Sequence, residues 1–369
     1  MTIGILKEPA FEARVSLLAE AVVSLVKQNN SVLVEDGAGV HAFCNNGEYE
    51  HAGAQIKSRA DVLSSSDIIL SIHPLPESEI PNGTQKIFAG VYQPLFNPAL
   101  MQSYAVRGIT TFSMDMLPRT TRAQSMDVLS SQANIAGYKS VLLAAAQYSR
   151  YFPMFMTAAG SIAPAKVLIL GAGVAGLQAI ATARRLGAVV EVFDTRPAVK
   201  EEVQSLGAKF VQVEGAADAS KSGGYAVEQS EAYKQKQQQL IAESVAKSDI
   251  IITTAQIPGK KAPVLITGEM IAKMRKGSVI IDLAAATGGN TPYTKNNELV
   301  VHNEVTIVGN SNLAATMPSD ASKLYGKNIV NFLQLIIDKE GKLNLNWDDD
   351  LVKGVCVTHG GAIVHEQLK

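Results

Sequence analysis

Three glycines follow an apolar run with the spacing of a dinucleotide-binding turn. The run from Lys166 to Leu170 precedes Gly171, Gly173 and Gly176, and helix-forming residues come after them. In this pattern the first glycine permits the tight turn, the second lets main chain approach a pyrophosphate, and the third lets the helix pack on the strand. The N-terminus of that helix attracts an anion through its unpaired N–H groups and its dipole. The spacing therefore predicts a dinucleotide site.

A carboxylate at the end of the next predicted strand indicates which dinucleotide binds. The helix stops at Gly187, and a strand over Val189–Phe193 leads into Asp194. A carboxylate at this place holds a ribose hydroxyl and repels a 2′-phosphate, which favours NAD(H) over NADP(H). Arg196 weakens this preference, because a guanidinium two positions later can pair with such a phosphate. The alternative is an ordinary carboxylate in a strand-end turn.

A polar segment, residues 118–132, lies where the chain leaves one predicted domain for the next. Arg119 and Asp127 are able to orient a nicotinamide carboxamide and its ribose. The alternative is structural: Thr121 caps a helix whose first turn contains Asp127, where the helix dipole favours a carboxylate. The residues alone leave both interpretations open. The candidate residues of this segment are Arg119, Gln124, Asp127 and Ser130.

Other kinds of catalytic site have no support in the sequence. The motifs HExxH, GxSxG and GxxxxGK[ST] are absent, which argues against metal hydrolysis, serine chemistry and P-loop phosphoryl transfer. The six histidines lie in no polar constellation, and Cys44 and Cys356 form no CxxC pair. We therefore predict no metal site, no disulfide framework and a reducing compartment.

Composition and length point to two α/β domains without a charged partner. The chain has 369 residues, of which 47% are hydrophobic and 18% charged, and its net charge is -1. This balance gives no electrostatic footprint for nucleic acid or an anionic membrane. The N-terminus is predicted to be a first strand rather than a signal peptide, and no apolar run approaches the ~20 residues that span a bilayer.

The order of predicted elements is βαβ throughout, which is typical of doubly wound parallel sheets. We predict two Rossmann-like domains, with a first α/β domain over 1–131 plus 318–369 and an NAD(H)-binding domain over 132–317 inserted into it. A long helix over about 133–148 connects them. The last strand of the inserted domain is predicted at 305–308, and a helix over 321–337 then leads into a tail without assigned strands.

Three motifs together resemble the NAD(H)-binding component of proton-translocating nicotinamide nucleotide transhydrogenases, which is domain I in the alpha subunit. They are PRTTRAQSMD at 118–127, GAGVAGLQAIATA at 171–183 and IPGK at 257–260, and the likeness covers essentially the whole chain. It implies that the chain binds NADH and passes hydride directly, with Si/Re specificity, to NADP⁺ on a partner beta subunit. A membrane component would couple this transfer to proton translocation.

The same resemblance implies how the protein assembles. It implies a homodimer, without membrane insertion of its own, held on the cytoplasmic face of the inner membrane by its partner subunits. A chain that ends at Lys369 without a membrane helix is similar to the short form of the alpha subunit, whose membrane portion is a separate polypeptide.

The resemblance also implies roles for single residues. Gln124 would reach toward the second nucleotide, while Arg119, Asp127 and Ser130 would position the dihydronicotinamide. Direct transfer between two nicotinamide rings moves no substrate proton, so such a site needs placement more than an acid or base. Gly224 and Tyr225 would belong to a loop that closes over the nucleotide, and Gln256 departs from the usual leucine. The further cofactor-binding positions are Thr120, Thr121, Ser125, Met126, Ala172, Val174, Thr195, Arg196, Gln237 and Gln256.

Two other functions remain as alternatives. An alanine dehydrogenase shares this fold and the N-terminal pattern that runs to Arg14, but it would use a lysine, a histidine and an aspartate. This sequence has His73 near the place of the lysine, Gly90–Gln93 near that of the histidine, and Ala286 at that of the aspartate. For Arg14 a structural ion pair is a sufficient role. A non-catalytic NAD-sensing subunit would keep Asp194 and the glycines without needing residues 119–130.

Overall fold

The strands of the protein are short apolar runs in which alternate residues pack on opposite faces of a sheet. The computed structural model describes residues 1–80, 85–213 and 230–369. The strands in these ranges are β1 (Thr2–Ile5), β2 (Ser31–Glu35), β3 (Gln55–Lys57), β4 (Ile68–Leu70), β5 (Ile87–Gly90), β6 (Thr110–Ser113), β7 (Phe155–Thr157), β8 (Gly160–Ile162), β9 (Lys166–Leu170), β10 (Val189–Phe193), β11 (Lys209–Phe210), β12 (Ile250–Thr253), β13 (Val279–Asp282), β14 (Leu299–His302), β15 (Val305–Val308), β16 (Cys356–His359) and β17 (Ala362–Ile363).

Several helices begin at a side chain that caps the N-terminus. Asn45 forms a reciprocal capping box with Glu48, and Ser58, Ser230 and Thr267 each accept from the main-chain N–H three residues later. The helices in the described ranges are α1 (Ala19–Lys27), α2 (Asn46–His51), α3 (Arg59–Ser65), α4 (Pro98–Val106), α5 (Val128–Gln147), α6 (Val174–Arg185), α7 (Lys200–Ser205), α8 (Glu231–Lys247), α9 (Gly268–Ala272), α10 (Pro318–Ile336) and α11 (Asp350–Val355).

The chain divides into two compact units. Unit 1 consists of residues 1–132 and 315–369, and unit 2 of residues 133–314. Unit 2 is thus inserted between the two segments of unit 1, and the first boundary falls inside α5. The sequence predicted neighbouring limits, at 131/132 and 317/318.

Unit 1 is built on a mixed sheet with its core on both faces. In the described residues the strand order is β17-β16-β6-β5-β4-β1-β2-β3, with β16 and β17 antiparallel and the others parallel. Ile68 and Leu70 pack into one apolar cluster, while Ile69 between them packs into another. This alternation shows that the sheet is covered on both sides, as a parallel sheet requires. The order reverses at β1, because β2 and β4 lie on opposite sides of it.

Unit 2 has the strand order of a dinucleotide-binding fold. Its sheet in the described residues runs β11-β10-β9-β12-β13-β15-β14, and only β14 is antiparallel to its neighbour. The chain moves outward from β9 to β11 and returns to β12 on the other side of β9. Such a reversal opens a crevice at the carboxyl end of the first strand. The glycine turn follows β9 directly, so it lies at this switch point. The predicted α/β class and Rossmann-like folds are confirmed.

The sequence misplaced or missed several elements. The long helix starts at Val128, not near residue 133, because Asp127 caps it. Strand β14 was missed because its turn to β15 is Asn303–Glu304, where both residues have positive φ but no glycine signals the hairpin. The predicted tail contains β16, which pairs with β6 across about 240 residues. The exposed hairpin of β7 and β8 was also missed.

No helix in the described part of the chain combines the length and the apolar character that crossing a membrane requires.

Candidate functional site

The three glycines of unit 2 serve three different geometric needs. Gly171 has φ +105°, and its N–H donates to the Phe193 carbonyl oxygen at 2.8 Å. A Cβ on Gly176 would lie 1.9 Å from the Gly171 carbonyl oxygen, so this glycine lets α6 pack directly on the turn. A Cβ on Gly173 would meet no atom within 4 Å. Protein packing therefore explains Gly171 and Gly176, whereas Gly173 faces open space.

The N-terminus of α6 is arranged to receive an anion. Gly173 occupies the N-cap and has no side chain with which to satisfy the first N–H groups. The last turn carries Arg184 and Arg185, which complement the negative end of the helix dipole. The positive end is left for a ligand such as a pyrophosphate. The turn thus has the geometry that the glycine spacing predicts.

Asp194 is buried and already has a full set of donors. Its Oδ2 accepts from Ala172 N at 2.7 Å and from Arg196 Nη2 at 2.8 Å. Its Oδ1 accepts from the main-chain N and from Nε of Arg196 at 2.8 and 2.9 Å. These four bonds match the accepting capacity of a carboxylate. A ribose hydroxyl must therefore share or replace an Arg196 bond, and the Arg196 charge is compensated by Asp194.

The polar segment of unit 1 combines a cap with an exposed turn. Asp127 Oδ1 accepts from Ser130 N at 2.9 Å and Oδ2 from Ser130 Oγ at 2.6 Å, so Asp127 caps α5. The structural alternative named the wrong cap, since Thr121 lies outside the helix and is exposed. Gln124 begins a 3₁₀ turn, Gln124–Met126, and its side chain is exposed. The exposed Gln124 remains available to a ligand.

The other predicted cofactor-binding residues differ in exposure. Met126 is only 5% exposed and packs into the unit 1 core, so its side chain is not open to a cofactor. Gln256 is exposed and donates from Nε2 to the Leu283 carbonyl oxygen at 2.9 Å. Gly224 and Tyr225 lie outside the described residues. Exposed positions are Arg119, Thr120, Thr121 and Ser125, and half-buried ones are Thr195 and Gln237.

A buried charge cluster fills the switch point of unit 1. Arg14 donates to the Glu12 carboxylate from both Nε and Nη2, at 2.8 and 2.6 Å, and His73 Nε2 lies 2.8 Å from Glu12 Oε2. Burial tends to raise the pKa of Glu12, but the bonds from Arg14 and His73 outweigh it and lower the pKa to about 2. Arg14 is therefore neutralised by the protein itself, which is the structural ion pair expected for it.

Glu8 lies beside this cluster and behaves differently. Its oxygens accept from the main-chain N–H groups of Ile72 and His73 at 2.5 and 3.1 Å. Burial nevertheless raises its pKa to about 7, because no cation comes close enough to offset the loss of water. Within the described residues, no group of three His, Cys, Asp or Glu side chains could hold a metal ion.

Sequence reasoning missed the residues that hold the polar segment in place. Asn328 and Asn331 of α10 both donate to the Ser125 carbonyl oxygen, and Arg122 pairs with Asp349 and Asp350. The available signals were two asparagines three positions apart on an amphipathic helix, and the acidic run at 348–350. Neither pattern by itself names its partner, which is more than 200 residues away.

Both halves of the chain match one family. Residues 4–136 match the N-terminal domain and residues 140–366 the C-terminal domain of the alanine dehydrogenase/PNT family. The chain belongs to this family. It is similar to the first of the separately encoded portions of the NAD(P) transhydrogenase alpha subunit in Rhodospirillum rubrum, with 46% identity over 97% of this chain and 96% of that protein.

Solved structures of the alanine dehydrogenase/PNT family agree with this membership. The transhydrogenase of Sinorhizobium meliloti is 45% identical, with a TM-score of 0.89 over 99% of this chain and 100% of the other. An L-alanine dehydrogenase has the same fold, with a TM-score of 0.83 over 100% of this chain and 98% of the other, at 23% identity. The resemblance to transhydrogenases is therefore confirmed, and alanine dehydrogenase is a more distant relative.

The two glycines of the turn should fail in different ways when each is replaced by alanine. Gly173→Ala adds a methyl group to open space, so the melting temperature should stay within about 1 °C while NADH affinity drops at least several-fold. Gly176→Ala forces the methyl group into the Gly171 carbonyl and should cost about 1–3 kcal/mol of stability. Calorimetry and NADH titration of both variants measure this. An unchanged NADH affinity in Gly173→Ala would contradict the assignment of the turn.

The Glu8 carboxyl should make unit 1 less stable as the pH rises. Its folded-state pKa of about 7 lies above the usual value of 4.5, so the favourable contribution is complete below pH 4.5 and disappears as the pH passes 7. The loss is on the order of 3 kcal/mol. Urea unfolding between pH 5 and 8 should show this decline in the wild type and a flatter profile in Glu8→Gln. The exposed Glu340→Gln is the matched control, and identical slopes in all three proteins would refute the prediction.

Proposed function

We propose that the protein binds NAD(H) in unit 2 and transfers hydride directly between NADH and NADP⁺ held by a partner beta subunit, with Si/Re specificity. The observation that carries this proposal is the glycine turn at the switch point of unit 2, in a chain 46% identical to a transhydrogenase alpha subunit. Asp194 favours NAD(H), because a 2′-phosphate would meet a buried carboxylate. Arg196 is already compensated by that carboxylate.

The polar groups of unit 1 suit a reaction that needs placement. We assign Arg119, Gln124, Asp127 and Ser130 to orienting the nicotinamide. Asp127 and Ser130 hold each other in fixed rotamers through two hydrogen bonds, which gives them defined positions for a carboxamide. Hydride transfer between two nicotinamide rings moves no proton to or from a side chain, so the absence of an acid–base pair in this set is no obstacle.

The alanine dehydrogenase alternative has less support. Such an enzyme needs a cation for the substrate carboxylate and a group that moves a substrate proton. Arg14 is bound on two nitrogens by Glu12 and donates from Nη1 to Gln132 at 2.8 Å, so its donors are committed within the protein. The sensing-subunit alternative would leave the capped, exposed arrangement at residues 119–130 without a task.

We further propose that the protein is a homodimer that joins the membrane through partner subunits. The β7–β8 hairpin of unit 2 supports the dimer, because residues 151–162 carry no charge and expose large apolar side chains. Exposed fractions are 54% for Tyr151, 62% for Met154 and 76% for Met156. A surface of this kind marks a protein interface. Binding through membrane and beta subunits would place the protein at the cytoplasmic face of the inner membrane.

Loss of single polar groups in unit 1 should slow hydride exchange without preventing NADH binding. Gln124→Asn shortens an exposed side chain, and Asp127→Asn removes a charge while keeping an oxygen that can cap α5. With the partner subunit present, both variants should exchange hydride between NADH and an NADP⁺ analogue at least ten-fold more slowly. Stopped-flow spectroscopy measures the rate, and NADH fluorescence titration measures the affinity.

The wild type provides the decisive control for this experiment. Unchanged exchange rates in both variants would refute the site assignment, since other residues would then position the ring. NAD⁺ reduction by the chain alone in the presence of L-alanine would overturn the proposed reaction in favour of the dehydrogenase.

A charge in the hairpin should prevent dimerisation. Met156→Asp places a carboxylate in the exposed apolar surface, so analytical ultracentrifugation should detect monomers at concentrations where the wild type is dimeric. Val106→Asp is the control, because Val106 is similarly exposed, at 74%, in unit 1. A wild type that sediments as a monomer at every concentration would exclude the dimer.

A further inference from the structure

The loop that carries Gln124 is held by two amide groups from a distant helix. The Nδ2 atoms of Asn328 and Asn331 donate to the same acceptor, the Ser125 carbonyl oxygen, at 2.8 and 2.9 Å. Both asparagines lie on α10, three residues apart, and therefore on one face of that helix. A carbonyl oxygen has two lone pairs, so both bonds can form at once.

Buried side chains fix the loop on either side of this acceptor. Ala123 and Met126 are 2% and 5% exposed and pack into the unit 1 core, to which Ile329 and Phe332 of α10 also contribute. Gln124 and Ser125 between them are exposed. The main chain at Gln124 is thus anchored by two buried neighbours and by hydrogen bonds one residue later, while its side chain extends into solvent.

Asn328 is an unfavourable residue for stability alone. It is 8% exposed, and its Oδ1 has no hydrogen-bond partner among the described residues. An unsatisfied buried acceptor costs about 1–3 kcal/mol, whereas an apolar side chain of similar size would carry no such cost. The useful atom of Asn328 is its donor, and that donor binds the loop of Gln124.

We propose that Asn328 and Asn331 are positioning residues for hydride transfer, which hold the Gln124–Met126 turn where Gln124 can act on the nicotinamide of the acceptor nucleotide. This rests on the proposed function. Neither asparagine contacts a cofactor in this role, and each acts through Ser125. Asp349 and Asp350 hold the same loop through Arg122, but this pair is largely exposed and salt screens it.

The test separates positioning from stability. Asn328→Leu removes the donor together with the unsatisfied oxygen, and Asn331→Ala removes the second donor. We expect each variant to exchange hydride about five-fold more slowly with the partner subunit, and the double variant more slowly still, with NADH affinity unchanged. The melting temperature of Asn328→Leu should not fall. Gln334→Ala, an exposed residue of the same helix, is the matched control and should behave like the wild type.

Amide hydrogen exchange provides a readout that does not depend on any reaction. Peptides covering residues 119–127 should exchange faster in the double variant than in the wild type and in Gln334→Ala. Unchanged exchange in these peptides would overturn the anchoring, whatever the activity. Faster amide exchange with unchanged hydride transfer would overturn the positioning role. A wild type that transfers no hydride to NADP⁺ would refute the proposed function and with it that role, whereas the amide data would still decide whether the asparagines hold the loop.

Discussion

The first turn of α6 is held by two main-chain contacts that only glycine permits. Gly176 lies against the Gly171 carbonyl oxygen, and a Cβ on Gly137 of α5 would come within 2.1 Å of the Ala175 carbonyl oxygen. The helix is therefore pressed between the turn after β9 and a neighbouring helix, with its axis fixed by backbone rather than by side chains. This is what directs the positive end of the dipole at the switch point of the sheet. A side chain at either glycine would move the helix and the anion site together.

The two units differ in how they use the same topology. Both sheets reverse their strand order at the first strand of the unit, β1 and β9, so both create a crevice at that strand's carboxyl end. In unit 2 the crevice ends in an open glycine turn. In unit 1 Glu8, Glu12, Arg14 and His73 saturate one another, and Glu8 also binds the main chain there. Only one of the two crevices is left for a phosphate.

Local patterns in the sequence were sufficient for the fold and for some of the site. The glycine spacing, the strand after it and Asp194 lie within about 30 residues, so periodicity and turn chemistry could place them. The capping of α5 could be predicted in principle, because Asp127 and Ser130 have N-cap spacing, but the segment supported a functional interpretation equally well. Contacts over long sequence separations could not be predicted. Glu12 reaches His73, and Asn328 reaches Ser125, only after the sheet has formed.

The interrupted course of unit 1 also constrains how the protein is made. Strand β6 gains its partner β16 only when residue 356 has been synthesised, and the loop at 123–126 gains its anchor only with residue 328. Unit 2 is contiguous, with every strand of its sheet between residues 166 and 308. On the ribosome, unit 2 can fold while unit 1 waits with an open sheet edge at β6. The order of assembly thus puts the nucleotide turn in place before the loop of Gln124 is secured.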